Sequence, residues 1–295
     1  ISHRMEEVFA HCDTITVMRD GYAISSKPTR ETNMEQVVRD MVGRSITEYY
    51  PGRTNKPGEI VLEVKNFCQE GLFNNISFKL RKGEILGVAG LMGAGRTEIM
   101  RALFGVDSCK HGEVYLHGKK VCIQKPEDAI KAGIGFITEN RKSEGLILDF
   151  SISRNIALPS VDTFAKRSVI NAKNETAFSE ALSKKLGVKT ASIDLESGGN
   201  QQKVVIAKWI GMNPSIIIMD EPTRGIDVGA KRDIYDLMNE LTSQGVAIIM
   251  VSSELPEVIG MSDRILVIHE GKIAGELDHE EATQEKIITL ATGGQ

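Results

Sequence analysis

The chain has 295 residues, 41% hydrophobic and 26% charged, enough for one large core with additional segments. Lysine and arginine number 36 against 40 aspartates and glutamates, a net charge of −4 with no basic tail, which argues against a nucleic-acid partner. Apolar runs such as Val246 to Val251 are far too short to span a bilayer, and Cys12, Cys68, Cys109 and Cys122 show neither metal-ligand nor disulfide spacing.

The chain begins inside a repeat. Residues 1–43 lie on residues 251–293 at an ungapped offset of 250, pairing Ser2 with Ser252, Glu7 with Glu257, Val8 with Val258, Asp13 with Asp263, Ile15 with Ile265, Val17 with Val267, Gly21 with Gly271 and Gly43 with Gly293. Residues 1–43 therefore read as the C-terminal tail of a truncated first domain, and the chain as a fragment of a roughly two-domain protein. The segment that follows is polar and carries two prolines and three glycines between Gly43 and Glu59. Residues 44–59 read as a linker.

Residues 60–295 read as the complete second domain. Ile60 to Val64 and Ile76 to Leu80 have strand character, and Glu84 to Ala89 reads as a short buried strand. Gly90 to Thr97 then reads G-L-M-G-A-G-R-T, followed by a helix to Phe104 with Ile99, Met100, Leu103 and Phe104 on its inner face. Strand, glycine loop and helix in this order make a phosphate loop. Gly90, Gly93 and Gly95 let successive backbone N–H groups converge on a polyphosphate, at the positive end of a helix. In such a loop the Thr97 hydroxyl ligates Mg²⁺ and a basic side chain reaches the outer phosphates of ATP. Arg96 holds the basic position, normally a lysine; its guanidinium keeps the charge but is planar and longer, so binding should survive better than catalysis. A glycine-rich turn without a ligand is the bland alternative for the loop alone.

Helix and strand alternate to about Ile137. From about 145 to 200 strand signals fade, and Lys173 to Leu186 has helical spacing with Phe178, Leu182 and Leu186 inward, which reads as a helical subdomain. Ser197, Gly198 and Gly199 then open the helix Val204 to Ile210, a second anion site. One ATP cannot fill both sites of one domain, so the serine-glycine segment is expected to face a nucleotide held by a second domain, in a head-to-tail pair. Pro214 to Met219 reads as a strand buried on both faces, ending in Asp220 and Glu221. Asp220 is placed to hold Mg²⁺ and Glu221 to act as general base on the attacking water. Ile234 to Leu241 reads as a helix, with Tyr235 and Leu241 in the core, before the strand Val246 to Val251. Phe67 or Phe73 could stack on adenine or belong to the core.

These motifs in this order resemble the nucleotide-binding domain of ATP-binding cassette proteins. The strings E-N-R-K-S-E-G-L at Glu139 to Leu146, S-G-G-N-Q-Q-K from Ser197, and P-T-R-G-I-D-V-G-A-K from Pro222 are closer still to the second half of the tandem ATPase subunits of bacterial monosaccharide importers, the ribose, galactose, xylose and arabinose type. The resemblance implies an α/β P-loop NTPase fold with a RecA-like core, an antiparallel β subdomain and a helical subdomain. It implies an ATPase at the cytoplasmic face of the membrane, with permease subunits, the missing first nucleotide-binding domain and, indirectly, a sugar-binding protein as partners. Gly225-Ile226-Asp227 matches the aspartate loop, placing Asp227 at the domain pair's interface. Glu139 stands where the family's glutamine contacts nucleotide and metal, and residues near Glu139 to Phe150 are the candidate contact for the permease. His3 matches the switch histidine that contacts the γ-phosphate, and in the second copy that position is Ser253. With Arg96 and Glu139, this predicts a degenerate site in the second domain and an efficient one completed by His3 and Ser197 to Gly199. Readings from other classes are a regulatory module that binds ATP without hydrolysis and a soluble, non-transport cassette ATPase.

Overall fold

The computed structural model describes residues 5–19, 22–33, 36–37, 40, 50–52, 55–109, 111–166, 169–188 and 198–294. The first segment forms helix α1 (Met5–His11) and the antiparallel pair β1 (Thr14–Arg19) and β2 (Tyr22–Pro28), with Ile15, Val17 and Val37 buried. Two layers follow. An antiparallel sheet of order β4-β3-β6-β7 is built from β3 (Ile60–Gln69), β4 (Phe73–Arg81), β6 (His111–Leu116) and β7 (Lys119–Val121). A six-stranded sheet of order β14-β13-β5-β12-β11-β8 contains β5 (Ile85–Gly90), β8 (Ile134–Ile137), β11 (Ile216–Asp220), β12 (Ala247–Val251), β13 (Arg264–His269) and β14 (Lys272–Asp278).

All pairings in the larger sheet are parallel except β13 with β14. Sequence explains this. β5, β11 and β12 are apolar at nearly every position, as strands covered on both faces must be, and their residues are buried almost throughout. Each fully buried aliphatic side chain contributes about 1.5–3 kcal/mol. Helices α2 (Arg96–Phe104), α3 (Pro126–Lys131), α7 (Gly198–Ile210), α8 (Val228–Ser243), α9 (Leu255–Met261) and α10 (Gln284–Ala291) supply the cover, while α4 (Ile152–Ala157), α5 (Val161–Phe164) and α6 (Ala172–Leu186) form the helical part. Two short paired strands, β9 (Ala165–Lys166) and β10 (Val169–Ile170), interrupt that part, which the sequence reads as helical only. Phe178, Leu182 and Leu186 pack against the core as their spacing predicts.

A buried ion-pair cluster fastens the two sheets. Arg264 donates to Glu84 at 2.9 Å and to the carbonyl of Lys79 at 2.6 Å, and pairs with Glu276. Glu84 also accepts from the Arg81 amide at 2.6 Å, so the desolvated charges have their hydrogen bonds completed.

The repeat recurs as structure. α1, β1, β2 and the 3₁₀ turn Thr29–Glu31 each begin and end 250 residues before α9, β13, β14 and the 3₁₀ turn His279–Glu281, and both hairpins shift register after the same valine, Val17 and Val267. The segment read as a linker is not slack where it is described. The Tyr50 ring lies tilted against Tyr235 at 5.4 Å, the Pro51 carbonyl accepts from Asn239, and Asn55 donates to the carbonyls of Gly83 and Thr242. Tyr50, Pro51 and Asn55 are thus each held by α8, which polar composition alone does not reveal.

Lys208 carries a cost inside this core. It is 8% exposed and its ammonium donates to the Gly145 carbonyl at 3.0 Å with no carboxylate partner among the described residues, and burial lowers its pKa to about 8. A lysine whose folded pKa falls below its unfolded one destabilises the fold while protonated. Stability should therefore rise as pH climbs from about 8 towards the unfolded lysine value. Lys208→Met is expected to raise thermal stability at pH 7 by about 1–2 kcal/mol and to flatten that rise. Denaturation at pH 7 and pH 10.5 checks this, and a variant less stable at both would contradict it.

Candidate functional site

The parallel register brings the site together. Asp220 pairs with Val251, Val251 with Val88, and Ile268 with Gly90, so β5, β11, β12 and β13 end along one edge. Carboxyl ends of parallel strands are where such sheets hold ligands. From this edge the glycine loop leaves β5. Gly90 has φ 156°, and a Cβ there would lie 2.4 Å from the Ile268 carbonyl oxygen; Gly95 turns into α2 at φ 99°. No other residue passes so close to β13. Met92 on the loop is 98% exposed, its side chain turned away from the strand ends.

Asp220 is 1% exposed, yet neither carboxylate oxygen has a hydrogen-bond partner among the described residues. Burial pushes its pKa up to about 6, while the adjacent Thr97 hydroxyl and the Arg96 charge pull it down. A buried, orphaned carboxylate beside a hydroxyl at a phosphate loop fits a hard cation such as Mg²⁺, which keeps most of its ligands from phosphate and water. Among the described residues no group of three or more His, Cys, Asp or Glu could cage a metal alone, so Thr97 and Asp220 are the pair that could hold one together with a polyphosphate.

Glu221 follows in a left-handed backbone at φ 49°, fixed by its amide donating to the Val251 carbonyl at 2.9 Å. Such a conformation costs on the order of 1–3 kcal/mol in a non-glycine residue and persists where its surroundings impose it. Burial raises the Glu221 pKa to about 7, opposed by Arg96 and by the hydrogen bond from Ser253. Ser253 Oγ donates to Glu221 Oε2 at 3.1 Å. Arg96 turns towards the end of β12 and Glu221. Its Nη1 donates to the Ser252 carbonyl at 2.8 Å and its Nη2 lies 3.9 Å from Glu221 Oε1, with both side chains about nine-tenths buried.

Behind Glu221 lies a network that the motifs do not name. Glu257, 1% exposed, accepts from the Thr223 hydroxyl at 2.7 Å and from the Ser252 hydroxyl at 2.5 Å, and Lys231 donates to both Glu254 oxygens at 2.6 Å. These bonds join the segment after β11 to the segment after β12. One sequence signal was available: Glu257 has its counterpart in Glu7.

A second group forms around the start of α7. Gly198 and Gly199 open the helix, a Cβ on Gly198 would lie 2.8 Å from the Gly225 carbonyl oxygen, and one on Gly199 would lie 3.1 Å from Ala230. Asp227 caps α8, accepting from the Ala230 amide at 3.0 Å. The signature glycines and the aspartate loop are therefore in contact. Glu139 belongs to this group too, its carboxylate pairing with Arg224. His3 and Ser197 lie outside the described residues. Phe67 and Phe73 are 6% and 3% exposed and stack on each other at 5.5 Å, so both are core rather than adenine platforms.

Residues 73–224 match the family model described as ABC transporter. The chain is 61% identical, over its whole length, to the ribose import ATP-binding protein of Oceanobacillus iheyensis and 60% identical to that of Bacillus subtilis. It spans about 60% of the length of these relatives. Among solved structures it resembles an ATP-binding cassette of an ABC transporter in its ADP conformation, with 20% identity, a TM-score of 0.66, and coverage of 80% of this chain and 99% of that one. A dimeric post-hydrolysis cassette bound to ADP and Pi superposes at 0.63 with 22% identity, over 74% of this chain and 98% of that one. The α/β P-loop cassette fold expected from the sequence is the fold observed.

Arg96 lowers the Glu221 pKa through charge, and removing that charge has a defined sign. In Arg96→Met without nucleotide, the Glu221 carboxyl should titrate above its present value of about 7, because burial then acts with less opposition. Side-chain carboxyl ¹³C shifts followed against pH measure it. An unchanged or lower value would mean that the Arg96 contact has no electrostatic weight.

Proposed function

We propose, from the premise that this chain belongs to the ABC transporter family, that it is the second nucleotide-binding domain of an ATP-hydrolysing subunit that energises monosaccharide import, with ribose the sugar named for its relatives. The observation that carries the ATP-binding part is the buried, unpartnered Asp220 carboxylate beside Thr97 at the mouth of the glycine loop.

On this reading the backbone N–H groups of Gly93, Gly95, Arg96 and Thr97 cradle the phosphates, and Thr97 and Asp220 hold Mg²⁺, which when bound neutralises developing charge on the phosphates. Glu221 accepts a proton from the attacking water as its oxygen bonds to the γ-phosphorus and the bond to the β-phosphate oxygen breaks, leaving ADP and phosphate. A carboxyl with a pKa near 7 is matched to that role at neutral pH. Ser253, at the place of the switch histidine, holds one Glu221 oxygen. Arg96 must leave Glu221 before it can serve a phosphate. Its present contacts favour a slow or regulatory site, while the efficient site pairs the first domain's loop and His3 with Ser197, Gly198 and Gly199 of this chain. Asp227 lies at the interface between the two domains.

The membrane-facing partner has a candidate seat. A cavity of about 290 Å³ lies between Arg101, Phe104, Phe136, Glu144, Lys208 and Trp209. Beside it Val106, Ile147 and Leu148 are 41%, 39% and 49% exposed. This overlaps the Glu139 to Phe150 surface read from sequence as the permease contact, and it suits a short apolar segment of the permease at the cytoplasmic face of the membrane. A separate sugar-binding protein would deliver substrate to the permease. No helix among the described residues is long and apolar enough to cross a membrane.

Trp209, 7% exposed and edge-on to Phe104 at 5.5 Å, reports on this region. Its fluorescence, with calorimetry, should show Mg-ATP binding by the chain with slow turnover, and Arg96→Lys should raise turnover severalfold. In the complete subunit, Glu221→Gln should cost little, whereas the same change at the first domain's counterpart should cost about 100-fold or more. Equal losses at the two glutamates would refute the asymmetric mechanism.

A further inference from the structure

Arg141 is a half-buried cation with no carboxylate partner among the described residues. It lies in the π-helical turn Arg141–Gly145, capped by Asn140, whose side-chain oxygen accepts from the Ser143 amide at 3.3 Å. Its Nη1 donates to the Arg224 carbonyl at 2.7 Å. Its Nη2 lies 3.2 Å from where a Cβ on Gly198 would sit and 3.4 Å from where one on Gly225 would sit. The guanidinium plane is thus wedged between the first residue of α7 and the aspartate loop, and burial lowers its pKa. Among the described residues no acid neutralises it. Arg224, whose carbonyl it holds, is gripped again through its side chain by Glu139.

This placement is costly unless the geometry is used. A guanidinium withdrawn from water needs its donors aimed at acceptors, and a surface ion pair, the bland alternative, would place it against a carboxylate. Instead it holds three segments in register: residues 139–141, the aspartate loop and the signature glycines. We propose that Arg141 is a positioning residue that fixes the aspartate loop against the start of the signature helix, and so serves the nucleotide held by the neighbouring cassette rather than one on its own phosphate loop. The inference rests on the head-to-tail reading given above. Arg141 Nη1 donates to the Arg224 carbonyl while Nη2 lies over Gly198 and Gly225; a lysine ammonium could replace the one hydrogen bond but has no second arm to lie against the glycines.

The test uses the complete subunit containing this chain, with Mg-ATP as substrate, and Arg141→Lys and Arg141→Met introduced singly; calorimetry on this chain carrying the same changes reads Mg-ATP binding at its own phosphate loop. Expected is a fall in kcat of about tenfold or more for both variants, with KM for Mg-ATP, the calorimetric affinity and the unfolding midpoint nearly unchanged. A kcat within twofold of wild type, full rescue by lysine, or a loss of Mg-ATP affinity in this chain that matches the loss of kcat would each overturn the proposal. Failure of both variants to fold would also overturn it, because the contact would then be a folding one. Absent turnover in the unmodified subunit would instead count against the functional reading, and Mg-ATP calorimetry on the unmodified chain separates that outcome.

Discussion

The parallel register of four apolar strands is the constraint on which the rest depends. β5, β12, β11 and β8 pair without a register shift, so Gly90, Val251, Asp220 and Ile137 finish at neighbouring heights. What each strand carries just beyond that height becomes one site: the glycine loop, the serine pair, the carboxylate pair and the segment from Thr138. A slip of one residue in β11 would turn Asp220 to the opposite face and take the carboxylate from Thr97. Close packing opposes that slip, since every position of β11 and β12 is buried and each side chain would have to fit new neighbours. Buried area is therefore spent on specificity of placement as well as on stability.

Within that frame, desolvation decides the behaviour of the charged groups. Asp220 and Glu221 are both pushed up by burial, opposed by the Arg96 charge and by the neighbouring hydroxyls of Thr97 and Ser253. A lysine at position 96 would be a compact, strongly hydrated charge drawn along the glycine loop. Arginine has the length and planarity to reach past it to the Ser252 carbonyl while facing Glu221. The substitution changes where the charge rests as well as its shape. On the proposed reading, the residue that would meet phosphate faces the carboxylate that would act as base.

Much of this was legible in the sequence because local patterns carried it. The strand, glycine loop and helix around Gly90 to Phe104, the apolar strand ending at Asp220, and the helical spacing of Phe178, Leu182 and Leu186 follow from periodicity and turn chemistry over short windows. What was not legible depends on partners far apart in sequence. Nothing near Glu139 announces Arg224, 85 positions later, as its partner. Nothing near Arg96 announces the Ser252 carbonyl. Phe67 and Phe73 bury each other across a strand pair, which a search for an adenine platform cannot see. Tyr50, Pro51 and Asn55 fall in a segment read as linker from proline, glycine and polarity, yet each finds a ring or a hydrogen-bond partner on α8.

The repeat sharpens the question of why the second copy differs. Helix, hairpin and 3₁₀ turn recur with every boundary displaced by the same 250 residues, down to the bulge, and in the sequence position 3 of the first copy corresponds to position 253 of the second. A histidine there has a long, titratable side chain that can both donate and accept; a serine has one short hydroxyl. In the second copy that hydroxyl spends its donor on Glu221, and Arg96 faces the same carboxylate from the other side. The two departures from the family pattern thus converge on one residue. On the proposed reading, this site holds its base restrained until a nucleotide draws Arg96 away. A domain altered in this way can keep its glycine loop, its orphaned Asp220 and its signature glycines intact, because none of them depends on rapid release of Glu221. On the same proposed reading, the second copy has no histidine to report the γ-phosphate, and that task falls to His3 of the first.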